Sequence, residues 1–139
     1  MERYLLWSAV ALAGYTLFTP LAKLATEDAP STVVALVANS ILALSALAVV
    51  VATGESPAQY LTGDTLKYVL GAGVFLTVGI LAYYRALALG PASTVVPIFG
   101  MFLVGSSVLG FLFLGDEFTA RKGAGIVLAG VAVYLTVTG

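Results

Sequence analysis

The six Lys and Arg and seven Asp and Glu of this chain fall in clusters, leaving charge-free runs over residues 4–22, 29–54, 68–84, 86–115 and 123–139. A helix that crosses the hydrocarbon of a bilayer needs about 17 to 25 mostly apolar residues. Each run is long enough for one crossing, and none is clearly long enough for two. Inside hydrocarbon every backbone polar group must find its partner within the protein, which makes α-helix the form such runs take. Composition agrees, because 60% of residues are hydrophobic and 9% are charged, where a soluble domain carries about 25% charged residues. The expected fold is an all-α membrane protein, a bundle of five transmembrane helices forming a single domain over residues 1–139, with no room for a separate soluble module.

Local signals bound the spans at about 4–24, 30–53, 65–89, 92–114 and 119–138. Pro20 removes a backbone donor near the end of the first and is expected to kink it. Asp28 is expected to cap the second span, with Pro30 in its first turn, and Gly54 and Pro57 stop it. The polar segment from Gly54 to Thr65 reads as the only loop of any length, after which Asp64 caps the third span. Leu89-Gly90-Pro91-Ala92 sets glycine just past one helix and proline just inside the next, predicting a tight hairpin. Gly115 ends the fourth span, and Thr119 is placed to cap the fifth. Arg3, the apolar stretch and Ala11-Leu12-Ala13 loosely resemble a secretory signal. Cleavage there would leave too little apolar chain to cross, so a retained signal-anchor helix is expected.

Several function classes are excluded or weakened. A net charge of −1 gives no reason to expect nucleic acid as a partner. The chain has no cysteine and no histidine, so it lacks a thiolate, a disulfide and the commonest general base and metal ligand. Neither a cofactor nor a metal is expected, and an intramembrane enzyme is poorly supported. Gly71-Ala72-Gly73 is discarded as a dinucleotide fingerprint, since Leu76 stands where the third glycine would fall. Arg3, Lys67, Arg121 and Lys122 lie on one membrane side and Lys23 and Arg85 on the other. Four cations against two put the N-terminus in the cytoplasm and, after five crossings of the inner membrane, the C-terminus outside.

Small residues allow helices to approach closely where lipid supplies no hydrophobic drive between them. Gly123 and Gly130 share a face of the last span, while Gly100, Gly105, Gly110 and Gly115 spread around the axis of the fourth. All but Gly115, which ends its helix, are expected to serve helix packing.

Tyr83 to Leu135 carries an ordered set of features: an aromatic helix end with Ala86 and Leu87, then Gly90, Ala92 and Ser93, then Pro97, then Leu114-Gly115 with an acidic residue, then Gly123 and Gly130. In this it resembles the C-terminal part of the EamA-like repeat of the drug/metabolite transporter superfamily. Lys23 near the end of the first span and Pro30 opening the second extend the resemblance over nearly the whole chain. Asn39, Leu103 and Asp116 depart from it, standing where relatives often carry arginine, proline and glutamate.

Full-length relatives are understood to hold two five-helix repeats of opposite orientation with the substrate path between them, and this chain resembles half of one. The resemblance implies a half-size transporter subunit for a small polar or amphipathic metabolite, working by alternating access. Since inverted repeats place their site at the repeat interface, a homodimer or an oppositely oriented half-size partner would complete it. A membrane scaffold without transport is the alternative.

Every carboxylate lies in a loop or at a helix end, so no acid is available near the bilayer centre for proton coupling. This argues against the small multidrug exporters, which are similar in size but use a glutamate in their first helix. Lys23 and Arg85 share a membrane side and are candidates for attracting an anionic group into a central cavity. Otherwise they snorkel to headgroups or pair with Glu27 and Asp28. Tyr15, Asn39, Tyr83, Tyr84, Ser106 and Ser107 are the other polar groups well inside the spans, and they either line that cavity or bond between helices. Trp7 and Tyr134 read as interface anchors.

Overall fold

A computed structural model describes residues 2–139. Among them every regular element is helical: α1 Arg3–Asp28, α2 Ser31–Thr53, α3 Pro57–Tyr60, α4 Gly63–Leu89, α5 Ala92–Phe113 and α6 Ala120–Thr138. All but the one-turn α3 are long and apolar enough to cross a membrane. Their surfaces suit lipid rather than water, since Leu12, Val51, Phe75 and Phe113 are among many large apolar side chains left exposed. A helix of a soluble protein turns such residues toward a core.

Element ends follow local chemistry, with some shifts from the expected bounds. α1 runs past Leu24 to Asp28, supported by the Thr26 hydroxyl on the Lys23 carbonyl at 2.8 Å and the Lys23–Glu27 pair at 3.7 Å. It stops at Ala29, which is extended, the conformation that proline imposes on its predecessor. Asp28 is therefore the last residue of α1 and does not cap α2. Pro30 holds the cap position without a side-chain bond, and its carbonyl accepts from Val33 and Val34. Helix continues through Pro20 in α1 and Pro97 in α5.

Gly54 ends α2 with φ +70°, and Glu55 donates to the Val50 carbonyl at 3.2 Å. The left-handed residue thus lets the chain reverse onto orphaned carbonyls. Ser56 and Pro57 then start the short α3 inside the segment expected to be loop, with proline at a position where no donor is missed. Thr119 caps α6 as expected, accepting from the Lys122 amide at 3.2 Å.

The chain forms two compact units, Met1–Leu89 and Gly90–Gly139. In the first, α4 packs against both α1 and α2, and α1 also touches α2. The buried apolar residues are Ala22, Ala35, Tyr83, Tyr84 and Leu87. The small buried side chains of Ala22 on α1 and Ala35 on α2 are of the kind that lets neighbouring helices approach closely. In the second unit, α5 packs against α6.

Candidate functional site

In the first unit the polar groups gather between α1 and α4. α1 presents Tyr15, Phe18, Thr19, Ala22, Lys23 and Thr26, a spacing that makes one helical face. α4 answers with Tyr83, Tyr84 and Leu87. Phe18 lies edge-on to Tyr84 with ring centres 5.9 Å apart, and 6.5 Å from the Tyr83 ring at a tilt. Tyr15 also meets Phe18 edge-on, with ring centres 6.0 Å apart. Such pairs contribute about 0.5 to 1.5 kcal/mol each beyond the area they bury.

Two polar contacts cross the same seam. Thr19 Oγ1 lies 3.1 Å from the Tyr83 hydroxyl and also 3.1 Å from the Tyr15 carbonyl. A threonine hydroxyl has a single proton. Donating it to the carbonyl leaves Tyr83 as donor to Thr19. One turn further on, Lys23 Nζ donates to the Leu87 carbonyl at 2.9 Å. The helical partner of that carbonyl would be the amide of residue 91, which is a proline and has no N–H. Lys23 supplies the missing donor from another helix and also faces Glu27 on its own.

Arg85 stands apart from this seam. At about 100° per residue it lies roughly 200° around α4 from Tyr83 and from Leu87, and it is exposed. Among the described residues the ion pairs are Lys23–Glu27 and Lys67–Asp64, so Arg85 has none. The structure thus brings Lys23, Tyr15, Tyr83 and Tyr84 together and leaves Arg85 on another face of the same helix. Asn39 is half-buried on α2 and donates to the Ala35 carbonyl at 2.8 Å, keeping its side-chain carbonyl available.

Ser106 and Ser107 belong to the second unit and are exposed on α5, Ser107 donating to the Leu103 carbonyl at 2.8 Å. The five glycines expected at helix contacts differ in what surrounds them. A Cβ at Gly100, Gly105 or Gly130 would meet no atom within 4 Å. At Gly110 it would strike the Asp116 carboxylate, and at Gly123 the Phe118 ring at 2.8 Å. These two glycines make room for the connection between α5 and α6 to fold back over its helices.

Phe18, Thr19 and the Leu87 carbonyl are the members of the seam that residue-type reasoning passes over. The helical spacing of Phe18 and Thr19 from Tyr15 and Lys23 is the signal that finds them. No group of three or more metal-ligating side chains occurs among the described residues.

Five apolar spans and a polar seam between two of them define a multi-pass helical membrane protein. The chain belongs to the EamA-like transporter family, whose model matches residues 3–138. It is 27% identical over 131 residues, 93% of this chain and 92% of the relative, to a protein of Sinorhizobium sp. described as an uncharacterized transporter in cobO 3'region. No solved structure matches the chain.

Proposed function

We propose that this chain is a half-size transporter subunit that moves a small polar or amphipathic metabolite across the cytoplasmic membrane by alternating access, with its N-terminus inside and its C-terminus outside. The observation that carries the reading is the family match over residues 3–138, one set of five spans. The transporter of matching length in Sinorhizobium sp. supports a working form built from such short chains. A second copy, or an oppositely oriented half-size partner, completes the path.

Arg85 is the cation that this arrangement leaves open to a substrate. Its backbone lies about 6 Å from the end of α4, four residues at 1.5 Å each, and its guanidinium has no ion-pair partner among the described residues. Charges within spans face a pathway or a partner, and Lys23 already has two acceptors.

Purified protein in proteoliposomes tests the proposal by counterflow with a panel of labelled amino acids, organic acids and small amines. Saturable exchange of at least one class, lost in Arg85→Gln, is the expected result. Absence of exchange across the panel by a folded, membrane-inserted protein would favour a scaffold instead.

A further inference from the structure

Between α5 and α6 runs a groove of about 630 Å³ whose lining includes Leu103, Ser107, Phe111, Glu117, Lys122 and Ile126. It follows α5 from Leu103 to Phe111, about 12 Å at 1.5 Å per residue. The side is open, since Leu103 and Ser107 are exposed. Its floor is apolar, and its mouth lies at the connection between the helices, where Asp116, Glu117 and Lys122 converge. Neither carboxylate has an ion-pair partner among the described residues. Lys122 Nζ donates to the Glu117 backbone carbonyl at 2.8 Å and sits 5.8 Å above the Phe111 ring. An ammonium has three donors, so two remain for a ligand.

We propose that this groove is a binding site for an aminophospholipid, with an acyl chain along Leu103, Val104, Ile126 and Ala129, the primary ammonium on Asp116 and Glu117, and the phosphate on Lys122. The charge pattern selects this occupant. Two free carboxylates beside one cation complement a zwitterionic headgroup, whereas an apolar helix laid in the groove would bury three charged groups without answering them. The pattern also selects among headgroups. A primary ammonium donates charge-assisted hydrogen bonds to carboxylates, which a quaternary choline cannot do. Choline keeps only the through-space attraction of the carboxylates, and the face of Phe111 that could add a cation–π contact is already covered by Lys122. Gly125 forms part of the wall, and a Cβ there meets nothing within 4 Å. The site stands independently of the transport reading.

Delipidated protein in detergent, titrated with dioleoylphosphatidylethanolamine or dioleoylphosphatidylcholine and read by native mass spectrometry, tests the proposal. The ethanolamine lipid should bind about tenfold more tightly, the difference expected of one charge-assisted hydrogen bond. Glu117→Gln should reduce that preference severalfold, and Asp116→Asn with Glu117→Gln should abolish it. Gly125→Leu, which fills the groove from its wall, should weaken both lipids while leaving the thermal midpoint in detergent unchanged. Asp116 rests against Gly110, so if its substitution unfolds the protein, Glu117→Gln alone carries the headgroup test. Equal affinity for the two lipids, a preference that survives loss of the carboxylates, or unchanged binding in Gly125→Leu would overturn the site. A disulfide between two copies of Gly125→Cys would also overturn it, by showing the groove filled by protein.

Discussion

The Lys23 ammonium on α1 takes the place at the Leu87 carbonyl of α4 that a backbone amide holds in an uninterrupted helix, at 2.9 Å. Pro91 leaves that carbonyl without a donor, and a carbonyl orphaned in apolar surroundings costs free energy until something donates to it. The lysine therefore joins two spans through a backbone atom and offsets its own partial burial in the same contact.

Lys23→Met should destabilise the protein by about 1 to 2 kcal/mol, between the worth of a charge-assisted bond in water and that of a typical interhelical bond in lipid. Pro91→Ala returns an amide to position 91. In that background the same lysine substitution should cost less than half as much. Unfolding of the four proteins in a detergent and denaturant titration gives the coupling directly, and additive effects would mean that Lys23 does not serve the carbonyl.

The Tyr83 hydroxyl donates to Thr19, whose own proton goes to the Tyr15 carbonyl. Tyr83→Phe keeps the ring against Phe18 and should cost about 0.6 kcal/mol, the average for a bond between membrane helices. Phe18→Leu removes the ring that touches three tyrosines and should cost more, about 1 to 2 kcal/mol. The reverse order, measured by the same titration, would shift the weight of the seam from its rings to its hydroxyls.

Arg85 makes no ion pair among the described residues and points away from the seam. Arg85→Gln should leave the unfolding midpoint where it is while removing the exchange expected in proteoliposomes. A large fall in stability would instead give this guanidinium a structural partner, such as a second copy of the chain.

Gly54 has φ +70°, a conformation that costs a side-chain-bearing residue about 1 kcal/mol or more. Gly54→Ala should therefore destabilise the end of α2, whereas Gly105→Ala meets open space and should be neutral in the single chain. If Gly105→Ala weakens association between copies without altering the chain itself, that glycine lies at an interface between them.

The five spans were legible because charge placement alone divides the chain, and glycine and proline mark most ends. The contacts between spans were less so, for a physical reason. Lys23 bonds to a backbone carbonyl, and residue types say nothing about carbonyls except where a proline four residues on announces an orphan, as Pro91 does for Leu87. Likewise Asp116 folds back over Gly110, so a glycine that looked suited to a neighbouring helix makes room for its own connection. The exposed face of Arg85 could be read from helical angles, once Tyr83 and Leu87 were known to face α1. The extra turn of α1 and the single turn of α3 came from local bonds that span-length reasoning does not weigh.

The account rests most heavily on five crossings with the two termini on opposite sides. Because the chain has no cysteine, single cysteines report their side without background. Ala29→Cys and Gly139→Cys should react with a membrane-impermeant maleimide on intact cells, and Ser56→Cys only after permeabilisation. Labelling of Ser56→Cys and Gly139→Cys from the same side would contradict the five-span topology.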